Sequence, residues 1–158
     1  AVAIAIARER PQCTVFATDL SPEALAVAMQ NAAVLGTRNI SFHAGDWFAA
    51  LRGKRFAVVV SNPPYIADDE WSETDPGLGF EPRLALSGGP DGLADIRRIV
   101  SAAPAHLENG GWLLLEHGSR QAVAVQNLLR QAGFESIATH CDLAGQPRVT
   151  EGRLPPES

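Results

Sequence analysis

The sequence predicts an α/β protein built on a mostly parallel sheet. Short apolar runs alternate along the chain with longer stretches that carry helix caps and helical apolar spacing. The run Val58-Val59-Val60 is β-branched without interruption, as in a strand buried on both faces of a parallel sheet. At 158 residues, 46% hydrophobic and 20% charged, the chain has the size and composition of one soluble domain with a real core.

Composition also narrows the function classes. The formal net charge is −5, and no basic stripe is visible. Arg97-Arg98 and Arg52, Lys54, Arg55 are small groups suited to solvated faces. A duplex-binding domain normally shows a basic footprint, so no direct nucleic-acid contact is expected. No apolar run approaches the roughly 20 residues of a membrane span, and no signal peptide is expected. The expected setting is the cytoplasm, with no membrane association. Cys13 and Cys141 fall in strand-like segments without metal-ligand spacing, so reduced core cysteines are expected and no metal site. His43, His106, His117 and His140 are scattered and read as structural.

In chain order, Val2, Ile4 and Ile6 alternate as in a strand. The alanine content and Arg8-Glu9-Arg10 instead favour a helix that ends before Pro11. This segment has no cap and opens in mid-element. Cys13 to Thr18 reads as a strand ending at Asp19. Ser21 then caps a helix with Pro22 at its first position and Glu23 in its first turn, running to about Leu35 and stopping at Gly36. Asn39 to His43 is the next strand, followed by Gly45-Asp46-Trp47-Phe48. Phe56 to Ser61 is a strand that delivers Asn62-Pro63-Pro64-Tyr65. The polar, glycine-rich stretch from Ala67 to Gly92 reads as a lid or substrate-docking segment, with Glu81 and Arg83 paired and Gly88, Gly89 and Gly92 allowing tight bends.

A helix is expected over Asp91 to Leu107, with Leu93, Ile96, Ile99, Val100 and Ala103 on one face and Pro104 kinking or ending it early. Asn109-Gly110-Gly111 turns into a buried strand over Trp112 to Glu116. His117 sits at its carboxyl end, where it suits either a structural or a catalytic role. Ser119 opens a helix to about Gln131, stopped by Gly133. Strands over Phe134 to His140 and Gln146 to Thr150 are joined through Leu143-Ala144-Gly145 as a hairpin, which makes the last strand antiparallel. The tail from Leu154 is expected to fray.

The most informative stretch is Asn62-Pro63-Pro64-Tyr65. Asn-Pro and Pro-Pro stop the strand and fix the chain direction beyond it. In open α/β sheets, ligands bind just past the carboxyl ends of strands. Pro63 and Pro64 lack backbone N–H groups, so the corner offers acceptors without nearby donors. The Pro63 carbonyl and the Asn62 side-chain carbonyl together suit a planar –NH2 group, which has two hydrogens to give. Tyr65 supplies an aromatic face that can stack on that group and favours nearby positive charge. The nitrogen of an amide or nucleobase amine is a poor nucleophile because its lone pair is delocalised. Holding both hydrogens orients that lone pair and stabilises the charge that grows as nitrogen attacks. The same residues also suit a proline-rich turn after a core strand. A specified four-residue string arises in a chain of this length only about once in a thousand sequences. Asp19, at the end of its strand, is placed to accept hydrogen bonds from two ribose hydroxyls, or to act as a turn aspartate at a helix start.

Asn62-Pro63-Pro64-Tyr65 resembles motif IV of amino-methyltransferases that use S-adenosylmethionine. Phe80-Glu81-Pro82-Arg83-Leu84-Ala85-Leu86-Ser87-Gly88-Gly89-Pro90-Asp91-Gly92-Leu93 resembles a signature of one branch, the protein-(glutamine-N5) methyltransferases acting on peptide chain release factors. The resemblance runs over essentially the whole chain. It implies a Rossmann-like class I methyltransferase fold, mostly parallel with an antiparallel last strand, with residues 1–158 forming a partial catalytic domain. In that family a first strand, a glycine-rich loop and a helical domain precede the segment seen here. Residues 1–158 alone are therefore expected to be inactive.

The resemblance further implies S-adenosylmethionine as cofactor, a release-factor glutamine as methyl acceptor and a monomer. Asn62, Pro63 and Tyr65 are the implied catalytic residues, and with Pro64 they bind substrate. Asp19, Asp46, Trp47 and Asn62 contact the cofactor, with Asp19 on the ribose and Asp46 and Trp47 around the adenine. Two other readings share these motifs. One is an adenine-N6 or other nucleic-acid amino-methyltransferase, which would need a basic groove. The other is a catalytically dead fragment that serves as a binding or structural module.

Overall fold

The computed structural model describes residues 1–68 and 86–156. Its contacts divide into two compact units, Ala1–Lys54 and Arg55–Ser158.

In the first unit, α1 (Val2–Glu9) leads to β1 (Val15–Asp19), α2 (Pro22–Val34) and β2 (Ile40–Ala44), with a 3-10 turn over Trp47–Leu51. The alanine-rich start is helical, as composition favoured over its alternation. The Ser21 side chain accepts a 3.1 Å bond from the Ala24 N–H, Pro22 occupies the first turn, and Gly36 takes the left-handed φ of 67° that ends the helix. β1 and β2 pair in parallel, with Asp19 opposite Ala44 at their carboxyl ends. Asn39 secures the start of β2. Its side-chain amide donates to the carbonyls of Ala7, Arg10 and Cys13 at 2.8–3.2 Å.

The second unit holds β3 (Phe56–Ser61), α3 (Ala94–Ala102), β4 (Leu107–Glu116), α4 (Ala122–Gln131), β5 (Glu135–Cys141) and β6 (Pro147–Arg153). The sheet order is β3-β4-β6-β5. β3 and β4 run parallel, and β6 is antiparallel to both its neighbours, as the hairpin pattern predicts. The core is built from Ile96, Ile99, Val100 and Ala103, from Leu107, Leu113 and Leu115 of β4, and from Val125 and Leu129 of α4. The helical apolar face expected of α3 is therefore the face that is buried. Pro104 sits in the first turn of a 3-10 segment, Ala103–His106, that ends the α-helix.

Several expectations change. β3 has the expected bounds but is not buried on both faces: Val58 is 53% and Val60 41% exposed. Among the described residues β3 is an edge strand of its sheet, paired with β4. A β-branched run cannot distinguish an edge from a centre, because pairing sets burial. Cys13 and Cys141 are free, but both are exposed rather than core. Cys13 lies in the bend before β1, and Cys141 closes the edge strand β5 where its register shifts.

Asn109-Gly110-Gly111 does not precede β4 but interrupts it. Pairing passes from Phe56–Leu107 directly to Val58–Trp112. Gly110 has φ 78°, and a Cβ at Gly111 would lie 2.9–3.1 Å from three carbonyl oxygens. Here glycine is what lets the two backbones approach. α4 starts at Ala122 rather than Ser119, because Gly118 to Gln121 forms a separate turn. β6 runs on to Arg153, and the Leu154 N–H bonds the Gly111 carbonyl at 2.8 Å, so the tail is secured at its first residue. Trp71, Phe80 and the Glu81–Arg83 pair lie outside the described residues.

Candidate functional site

The carboxyl edge of the β1–β2 pair carries the first group of candidate residues. Asp19 ends β1 and is exposed; its Oδ1 accepts a 2.9 Å bond from the Ser21 N–H at the start of α2. The Gly45 N–H bonds the Asp19 carbonyl at 3.0 Å, which brings the Gly45-Asp46-Trp47 segment to the same edge. Asp46 is exposed and Trp47 half-buried. Trp47 has φ 48°, a left-handed conformation that is rare for a bulky side chain. Backbone strain of this kind concentrates at sites where a side chain must be aimed.

The second group lies at one edge of the four-stranded sheet, where three neighbouring strand ends meet. Ser61, the last residue of β3, pairs with Leu115, and Glu116 pairs with Val149 of β6. Asn62 follows β3 and is exposed. Pro63 is fully buried and anchors the corner. Tyr65 is held at both ends. Its hydroxyl donates to Glu116 Oε1 at 3.2 Å, and its backbone carbonyl accepts from Gln121 Nε2 at 2.9 Å. Burial first, then the Glu116 charge, push the Tyr65 phenol above its ordinary value, while Arg148 at the same hydroxyl opposes the shift. The ring is therefore neutral across the physiological range. Arg148 is itself set by its 3.3 Å pairing with Asp142 and by the His117 N–H on its carbonyl at 3.0 Å.

Beyond Tyr65 the chain makes a short parallel bridge, Ile66 with Ser87, closed by Ile66 N–H to Leu86 O and Gly88 N–H to Ile66 O, each 2.9 Å. This bridge brings the described end of the second motif, Leu86 to Leu93, against the corner. Gly89 and Gly92 there have φ of 81° and 70°, the tight bends expected of them.

His117 is fully buried, and both ring nitrogens are committed. Nδ1 faces the Gly118 carbonyl at 2.8 Å, and Nε2 faces Thr150 Oγ1 at 2.7 Å. A carbonyl only accepts, so Nδ1 carries the proton and Thr150 donates to Nε2. Thr150 then accepts from Thr139 at 2.8 Å, which accepts from Gln126 Nε2 at 2.9 Å. Burial holds the imidazole below its ordinary pKa. Of the two roles the sequence left open for His117, this geometry supports the structural one.

Sequence reasoning brought out the corner but not Glu116, Gln121 or Arg148, which hold it. Glu116 carried a signal, a lone acid at the carboxyl end of an apolar strand. Gln121 and Arg148 carried none that is local. Among the described residues, no cluster of His, Cys, Asp and Glu is arranged to hold a metal ion, and no helix is long and apolar enough to cross a membrane.

Residues 1–74 match the family model of the methyltransferase small domain. A methyltransferase from Pyrococcus furiosus superposes with a TM-score of 0.69 over 96% of this chain and 68% of that one, at 16% identity. The chain thus has the class I methyltransferase fold. Within that class its sequence relatives are specific. It is 50% identical over 98% of its length to the release factor glutamine methyltransferase of Xylella fastidiosa (strain Temecula1), and 46% identical over 99% to that of Vibrio cholerae. The chain is homologous to the release factor glutamine methyltransferases. It spans 56% and 55% of the length of these two relatives.

Proposed function

We propose that this chain is part of the catalytic domain of an enzyme that methylates the side-chain amide nitrogen of a glutamine in a peptide chain release factor, with S-adenosylmethionine as cofactor. The observation that carries the chemistry is the corner after β3: an exposed Asn62 beside a buried Pro63, with Tyr65 secured at its hydroxyl and its carbonyl. The relatives named above supply the substrate class.

The residues present fit the cofactor. Asp19 is an exposed carboxylate at a parallel strand end, with Oδ1 on the Ser21 N–H, and a carboxylate has acceptor capacity for ribose hydroxyls besides. Asp46 and the strained, half-buried Trp47 provide an acceptor and an aromatic wall suited to an adenine. When bound, S-adenosylmethionine supplies an electrophilic methyl on a sulfonium sulfur.

The chain's own residues act on the acceptor. The Asn62 side-chain carbonyl and the Pro63 carbonyl take the two amide hydrogens, which leaves the nitrogen lone pair free to attack. Tyr65 stacks on the amide plane and favours the positive charge that develops there. No side-chain base is needed before attack, because the N–H becomes acidic once nitrogen carries charge. His117 is buried with both ring nitrogens bonded, so this route does not call on it as a base.

The test is mass spectrometry of a purified bacterial release factor incubated with the full-length protein and S-adenosylmethionine. A 14 Da gain on one glutamine is expected, lost in Asn62→Ala while cofactor binding persists. Methylation of DNA or RNA in place of the protein, or normal turnover by Asn62→Ala, refutes the assignment.

A further inference from the structure

Gln121 occupies the turn between β4 and α4. It stands at the start of α4, yet its side chain does not cap that helix. Instead its primary amide ties three segments that are remote in sequence. Oε1 accepts from the Gly118 N–H at 2.8 Å, and Nε2 donates to the Tyr65 carbonyl at 2.9 Å. A longer contact of 3.4 Å joins Nε2 to the Asp91 carbonyl. Both amide hydrogens are thus directed at backbone carbonyls, one just past the proline corner and one in the glycine-rich bend.

The corner needs such an external donor. Pro63 and Pro64 contribute no N–H; the Tyr65–Ile66 peptide is held on its N–H side by the Leu86 carbonyl at 2.9 Å and on its carbonyl side by Gln121. The packing around that bond leaves no spare room. A Cβ at Gly92 would lie 2.3 Å from the Tyr65 oxygen and 2.4 Å from Gln121 Nε2. Gly92 is thus the residue that allows the bend, the corner and the amide to converge.

We infer that Gln121 is a positioning residue for the acceptor-amide site: its Nε2–H bond to the Tyr65 carbonyl fixes the Tyr65–Ile66 peptide and thereby the ring of Tyr65. This rests on the reading above, in which the corner from Asn62 to Tyr65 holds the substrate amide. The Oε1 bond to Gly118 shapes only the turn into α4. The two halves of the side chain therefore have separable roles.

Two variants in the full-length protein test this. Gln121→Glu keeps the size and the acceptor for the Gly118 N–H but cannot donate to Tyr65. Gln121→Met removes both bonds without adding charge and serves if the glutamate variant folds poorly. The expected result is a fall in kcat of about tenfold or more on a purified release factor, with S-adenosylmethionine affinity changed by less than about twofold. A second readout does not depend on turnover. The titration of Tyr65 in Gln121→Met, which adds no charge, followed by NMR of 13Cζ-labelled tyrosine with its line assigned from Tyr65→Phe, should move down toward the ordinary value as the ring loosens. Burial, which dominates its raised pKa, would be partly lost. A Tyr65 titration that stays where it is in Gln121→Met overturns the inference, whether or not kcat falls. If the wild-type protein does not methylate a release factor, the functional reading fails, and the Tyr65 line still decides whether Gln121 holds the ring.

Discussion

The Tyr65 hydroxyl donates a 3.2 Å hydrogen bond to Glu116, 51 residues further along the chain, across the β3–β4 edge. That neighbour holds the hydroxyl and, after burial, raises its pKa. Glu116→Gln keeps an acceptor and removes the charge. The phenol pKa is expected to fall yet stay above its ordinary value of about 10, because burial is the larger cause and remains. Glu116→Ala removes the acceptor as well, and about a tenfold loss of methyl transfer is expected. Tyrosine titration and steady-state rates check the two statements separately.

Gly92→Ala combines two penalties. Its φ of 70° strains any residue with a Cβ by roughly 1–2 kcal/mol, and the added methyl meets the Tyr65 oxygen and the Gln121 amide. Overpacking of this kind costs about 1–3 kcal/mol. A total destabilisation of about 3 kcal/mol is expected in urea unfolding, together with lost activity. A wild-type midpoint would mean that the bend has room the geometry denies it.

Stability should fall on mild acidification because of His117. Its folded pKa lies below the ordinary value of about 6.5, so the unfolded chain binds the proton more readily. The His117 contribution is complete above pH 6.5 and declines as pH drops from there toward the folded pKa, by at most about 1.4 kcal/mol per pH unit. Protonated Nε2 can no longer accept from Thr150, so the chain through Thr139 to Gln126 is broken. Urea midpoints between pH 4.5 and 7.5 should show this slope, and His117→Asn should flatten it. Asp91, held at about 2 chiefly by its hydrogen bond with Arg97, loses its share only as pH falls below the ordinary aspartate range. The two windows are separable.

Asp19 is exposed, and the one described bond of its side chain is to the Ser21 N–H. Asp19→Ala is expected to cost less than about 1 kcal/mol of stability. Loss of a charged acceptor for two hydroxyls should weaken S-adenosylmethionine binding by about a hundredfold. Calorimetry on the full-length protein measures this. Unchanged affinity would remove Asp19 from the cofactor site.

What the sequence determined by itself was local. The bounds of β3, the Ser21 cap, the Gly36 stop and the Asn62–Tyr65 corner follow from side-chain branching, missing N–H groups and the freedom of glycine, each acting within a few residues of itself. That is why these features were legible without coordinates. The partners of Tyr65, the exposure of Val58 and Val60 and the surface positions of Cys13 and Cys141 were decided by tertiary structure. Gln121 meets Tyr65 across 56 residues because β3 and β4 pair in one register and α4 starts three residues later than its pattern suggests. Apolar runs look alike at the edge and at the centre of a sheet. Tertiary structure decides which strands pair and what packs on each face of the sheet, and so which side chains leave water.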